Sequence, residues 1–102
     1  MKTKHSIKMD FNKANRQRDK LRETAGDIER YAGEEMESCL SRIAESWQGD
    51  NANAYIAKGR AVADNLRAIA RDLRKTADTI ETIAANTYQA ERRALELAEQ
   101  RK

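Results

Sequence analysis

The chain has 102 residues, 36% charged and 39% hydrophobic, with no proline and a formal net charge of +3. That length has room for one domain at most. No stretch approaches the ~20 apolar residues of a membrane span, and the basic N-terminal run Lys2-Thr3-Lys4-His5 leads into no apolar segment of signal-peptide length. Export, if it occurs, is therefore expected to bypass a cleavable signal peptide.

From the N-terminus, apolar or small residues recur at positions 7, 11, 14, 21, 25, 28, 32, 36, 39, 43 and 47, with one turn skipped at Arg18. Spacings near 3 and 4 predict an amphipathic first helix over about 7–46. Gly26 and Gly33 each cost about 1 kcal/mol against alanine, but they leave the stripe in register. Cys39 falls on that stripe. As the only cysteine it can form no internal disulfide, and it reads as a small buried apolar residue.

A break follows at Trp47-Gln48-Gly49, with Asp50 or Asn51 as the expected N-cap of the next helix. The second stripe runs through Ala52, Tyr55, Gly59, Val62, Leu66, Ile69, Leu73, Ala77, Ile80, Ile83 and Thr87. It predicts a helix over about 51–100. A turn at 47–49 leaves no slack, so the two helices fold back antiparallel as one all-α hairpin spanning 1–102. Phe11, Leu21, Ile28, Ile43, Val62, Leu66, Ile69, Leu73, Ile80 and Ile83 are the predicted core of the hairpin, or of a dimer of hairpins forming a four-helix bundle. The thin, alanine-rich stripe points to a chain that needs a partner to bury enough apolar area.

Charge supports the same folding. Residues 1–20 carry seven basic and two acidic side chains, net +5; residues 21–50 carry three and eight, net −5; residues 51–102 carry ten and seven, net +3. Reversal near residue 48 sets the acidic segment 22–37 (net −4) against the basic segment 60–75 (net +3). Single exposed pairs contribute only ~0–1 kcal/mol, but jointly they fix orientation.

The residues needed for chemistry are missing. One histidine, His5, and one cysteine make neither a metal site nor a dyad, and no glycine-rich phosphate loop or Ser/His/Asp set occurs. No catalytic, cofactor-binding or metal-ligating residue is expected, and no enzymatic activity. Lys2, Lys4, Lys8, Lys13, Arg16, Arg18 and Lys20 could meet phosphates, but no aromatic residues are interleaved for base stacking. Nucleic acid is therefore not the expected partner. An intracellular coiled-coil adaptor or nucleic-acid-associated helical protein is the alternative reading.

A central Trp47-x-Gly49 between two proline-free helices, in a chain near one hundred residues, resembles the WXG (early-secreted-antigen-like) family of bacterial type VII secretion. The resemblance covers nearly the whole chain. It implies antiparallel dimers of hairpins, made with itself or with a second WXG-type protein. It implies synthesis in the cytoplasm and export through a membrane-bound secretion ATPase to the medium or cell surface. It also implies service as a substrate or adaptor, in some members for a larger secreted toxin. Its export signal joins the bend to a tyrosine followed four residues later by an acidic residue. Here Tyr88 is followed by Glu91 at three residues, with Arg92 at four, a departure from that pattern. Either Glu91 substitutes from nearly the same helical face, with Tyr88 and Glu91 as the candidate export signal, or a partner carries the tail signal.

Overall fold

The computed structural model describes residues 2–101, so Met1 and Lys102, the ends of the 1–102 span, lie outside the described residues. The chain is an all-α hairpin of two long helical arms packed antiparallel. The first arm is α1 (Lys4–Arg30), a π-helical turn (Tyr31–Glu35) and α2 (Met36–Ser46), running on without a break; the second is α3 (Asp50–Gln100).

Each boundary has a local cause. Thr3 caps α1: its Oγ1 accepts the Ser6 N–H at 3.1 Å, its carbonyl accepts the Ser6 hydroxyl at 3.1 Å, and Ile7 N–H bonds the same carbonyl at 3.0 Å. The first arm stops where Trp47 turns extended (φ −137°, ψ 121°), its N–H still bonded to Ile43 O at 2.8 Å. Gly49 then takes φ 114°, a region side-chain-bearing residues rarely adopt. Its carbonyl accepts the Asn53 N–H at 3.0 Å, the first bond of α3. The residue at the cap position is thus Gly49, not Asp50 or Asn51. Asp50 instead lies in the first turn, where its charge complements the helix dipole.

The chain divides into two compact units, Met1–Arg22 with Lys75–Lys102, and Glu23–Arg74. In the terminal unit Ile7, Ala77 and Ala84 are buried between the arms. Arg18 bonds Glu81 at 2.8 Å, and Arg22 bonds Asp78 at 2.9 Å and Glu81 at 3.3 Å. Asp78 first, then Glu81, holds the Arg22 guanidinium above its ordinary pKa. In the bend unit the buried residues are Ala25, Ala32, Leu40, Ala52, Ala63 and Ala70. There Arg74 Nε bonds Glu29 at 3.2 Å, Arg67 donates to the Ala32 carbonyl at 3.4 Å, and Arg60 lies 4.0 Å from Glu37. The acidic 22–37 segment does face the basic 60–75 segment.

The second arm is organised in heptads. Ala63, Ala70, Ala77 and Ala84 are buried, and Gly59, Leu66, Leu73 and Ile80 flank them half-buried. Repeats of seven with small side chains keep one seam facing the neighbour and let the backbones approach closely. Arg60, Arg67, Arg74 and Glu81, also seven apart, reach across one edge of that seam.

The first arm keeps the same spacing only as far as Ala32. Met36 N–H then bonds the Tyr31 carbonyl, five residues back, which inserts one extra residue into the arm. Beyond this turn each seam position comes one residue later. Leu40 is buried, and Cys39, expected on the buried stripe, is exposed. Past Gly33 the predicted stripe misses at Cys39, whose buried place Leu40 takes, and at exposed Trp47, while Met36 and Ile43 are half-buried as expected.

The sequence stripe of the second arm falls between two columns. Leu66, Leu73 and Ile80 border the seam, whereas Val62, Ile69 and Ile83 stand exposed on this chain. Phe11, Leu21, Ile28 and Ile43 are half-buried.

Candidate interaction surfaces

Trp47 is 47% exposed, although it is the residue of the chain with most to lose in water. Its extended backbone carries the indole off the end of α2, and the ring lies 6.1 Å from that of Tyr55, tilted by 53°. No atom outside the local chain comes within 4 Å of a Cβ built on Gly49, so the glycine is required by its φ and not by crowding. The bend therefore displays an aromatic pair on a turn fixed by backbone geometry.

Tyr88 and Glu91 belong to the other unit. The Tyr88 ring stacks on Phe11 with centroids 4.5 Å apart, and the Arg92 guanidinium carbon lies 5.6 Å above it. Glu91 occupies the next heptad position after Ala84, on the seam. Lys2 Nζ lies 3.2 Å from its carboxylate and 2.9 Å from that of Asp10. Asp10 first, then Glu91, raises the Lys2 pKa above its ordinary value. The sequence singled out Tyr88 and Glu91 but not Phe11 as the tyrosine's stacking partner, nor Lys2 as the carboxylate's.

The largest apolar display was only half seen from sequence. Along α3 the residues Tyr55, Val62, Ile69, Thr76, Ile83, Ala90 and Leu97 recur every seventh position, and all are exposed. The five large ones are 54%, 49%, 49%, 59% and 50% exposed. Each unit has a groove between its arms bordered by this column. In the bend unit Tyr55, Gly59 and Val62 face Tyr31, Met36 and Ile43. In the terminal unit Ile80, Ile83 and Thr87 face Asp10, Phe11 and Ala14. The salt-bridge column Arg60, Arg67, Arg74 and Glu81 is separate from these grooves.

Both grooves are lined mainly by apolar side chains, with Asp10 and Glu91 in the terminal one and Glu35 and Lys58 in the bend one. Among the described residues no His, Cys, Asp and Glu cluster is arranged to hold a metal, and no helix is long and apolar enough to cross a membrane. No family model, no curated protein and no solved structure matches the chain.

Proposed function

We propose that this protein is a small WXG-type substrate, or a co-secreted adaptor, of a bacterial type VII secretion system, working through helical interfaces and carrying out no chemistry. Trp47 carries the reading. A single tryptophan stands half-exposed on a glycine-fixed bend between two long helices, where an indole is costly in water and well suited to anchor a partner. The apolar column along α3 supports the associated architecture, a dimer of hairpins forming a four-helix bundle, because exposed apolar residues in sustained heptads mark a seam that lacks its partner helix.

In this reading the chain pairs with itself or with a second WXG-type protein. It is made in the cytoplasm and engaged by the membrane-bound ATPase, with a larger toxin as a further partner. It leaves the cell for the medium or cell surface. Glu91 stands in for the acidic residue four after the tyrosine, since three and four residues on from Tyr88 share a helix face. The test is the native host with its secretion ATPase inactivated. Loss of the protein from the medium with cell-associated protein retained supports the proposal. Unchanged secretion refutes it.

A further inference from the structure

Lys2 precedes α1, yet it is bound to both arms of the terminal unit. Its ammonium lies 2.9 Å from the Asp10 carboxylate on one arm and 3.2 Å from that of Glu91 on the other. These two carboxylates are the charged lining of the terminal-unit groove, whose remaining lining is mostly apolar and includes Ile7, Phe11 and Ile83. The Tyr88 ring in the same groove is already engaged by Phe11 and Arg92, so the carboxylates are what hold a cation there. One acceptor is left over. Lys2 donates to Glu91 Oε1 at 3.2 Å, while Glu91 Oε2 is shut off from solvent and accepts no hydrogen bond. A carboxylate oxygen buried without a donor is costly to keep.

We infer that this groove takes a lysine side chain of another protein, its ammonium on Asp10 and Glu91 in the place Lys2 holds and its methylene stem along Ile7, Phe11 and Ile83. Lys2 is the occupant in cis and shows that an ammonium on an aliphatic stem suits the two carboxylates. It is also displaceable. Its side chain is 52% exposed, it stands ahead of the first helical residue, and exposed ion pairs contribute little. The groove has a volume of about 260 Å³, below the ~300–1,000 Å³ of sites for drug-sized ligands and too small for a helix ~10 Å across. One long side chain fits it. Ile83, 59% exposed at the rim, offers apolar surface to the residues on either side of such a lysine, surface that a free alkylamine leaves uncovered. The site stands on the terminal unit's own geometry and does not require the secretion reading, although Tyr88 and Glu91 belong to both.

The experiment is titration of the full-length protein at low salt with the blocked tripeptide acetyl-Leu-Lys-Leu-amide. Binding is read from the NMR shifts of the Phe11 and Tyr88 rings, with circular dichroism as the control for folding. The shifts should saturate. The same peptide with norleucine for lysine keeps the stem, drops the ammonium and should bind about tenfold more weakly. The lysine peptide should lose about as much on a protein carrying Asp10→Asn with Glu91→Gln. Lys2→Ala should bind the lysine peptide several-fold more tightly, because the competitor in cis is gone; carboxylates that serve only to pin the N-terminal segment would give no such gain. Butylamine should bind several-fold more weakly than the peptide. Shifts that do not saturate, a norleucine peptide that binds as well, a Lys2→Ala protein with no gain, or butylamine as tight as the peptide would each overturn the inference. None of these readings involves export, so their failure leaves the secretion reading standing. Secretion that persists without the ATPase would refute that reading and leave the lysine site in place.

Discussion

Leu40 fills the space that a side chain at Gly59 would need: a Cβ there would lie 2.6 Å from Leu40 Cδ2, 3.2 Å from Cδ1 and 3.4 Å from Cγ. The two arms of the bend unit touch here through a leucine on one and a bare backbone on the other. Gly26 is different, since the nearest atom to its Cβ would be the tip of Arg74 at 3.9 Å, an ordinary contact. Gly26→Ala should therefore stabilise by up to about 1 kcal/mol through helix propensity alone. Gly59→Ala has the same propensity gain but must displace Leu40, an overpacking cost of about 1–3 kcal/mol, and should not stabilise. Thermal melts of the two variants side by side check this, and a rise in melting temperature for Gly59→Ala contradicts the packing described.

The register slip makes a second distinction between adjacent residues. Leu40 is 5% exposed, and Cys39 is exposed. Leu40→Ala should cost about 2–5 kcal/mol, whereas Cys39→Ser should stay within about 0.5 kcal/mol. In the folded protein the Cys39 thiol should react with a thiol reagent as fast as it does after unfolding. A protected thiol would mean that the stripe runs through Cys39 after all.

The π turn also predicts that one residue can be removed from the middle of the first arm. Deleting Gly33 turns the turn into ordinary α-helix and leaves Ala32 and Leu40 in one continuous heptad seam. Deleting Ala68 from α3 rotates every later seam residue by about 100° and should unfold the terminal unit. Circular dichroism with urea titration separates the two outcomes. Equal damage from both deletions would show that the first arm needs the residue and that Gly33 is not surplus to its seam.

Much of this was legible in the sequence. Periodicity gave the two arms and the charge blocks gave their facing, as Glu29 with Arg74 and Glu37 with Arg60 show. The π turn was not legible, because a slip of one residue still leaves an apolar or small residue at either candidate position, Cys39 or Leu40. The choice of seam on α3 was hidden for a related reason. Small alanines every seventh residue take the close contact between arms, and the bulkier Val62, Ile69 and Ile83 read as core by hydrophobicity although they lie one column away. The N-cap was misjudged because Asp50 and Asn51 have good capping side chains, while Gly49 was chosen by backbone φ. Thr3 with Ser6 was a readable helix start, and α1 begins at Lys4, three residues before the stripe.

At the bend and tail, two substitutions should part company. Gly49→Val places a β-branched residue at φ 114°, a strain of about 1–3 kcal/mol, and should lower stability and export together. Arg92→Glu restores an acidic residue four after Tyr88 and gives up the cation over the Tyr88 ring and a 3.7 Å pair with Glu96. Export should be unimpaired. Secretion with cell-associated protein measured alongside decides both; loss of export in a folded Arg92→Glu protein would count against the Tyr88–Glu91 signal.

The most direct measurement is export of Trp47→Ala from the native host, with helix content checked on the purified protein. The exposed indole contributes little to the packing between the arms, so the variant should fold and keep its helices. It should nevertheless accumulate in the cell and be missing from the medium. Normal export of a well-folded Trp47→Ala protein would make Trp47 a packing residue only and would contradict the secretion reading.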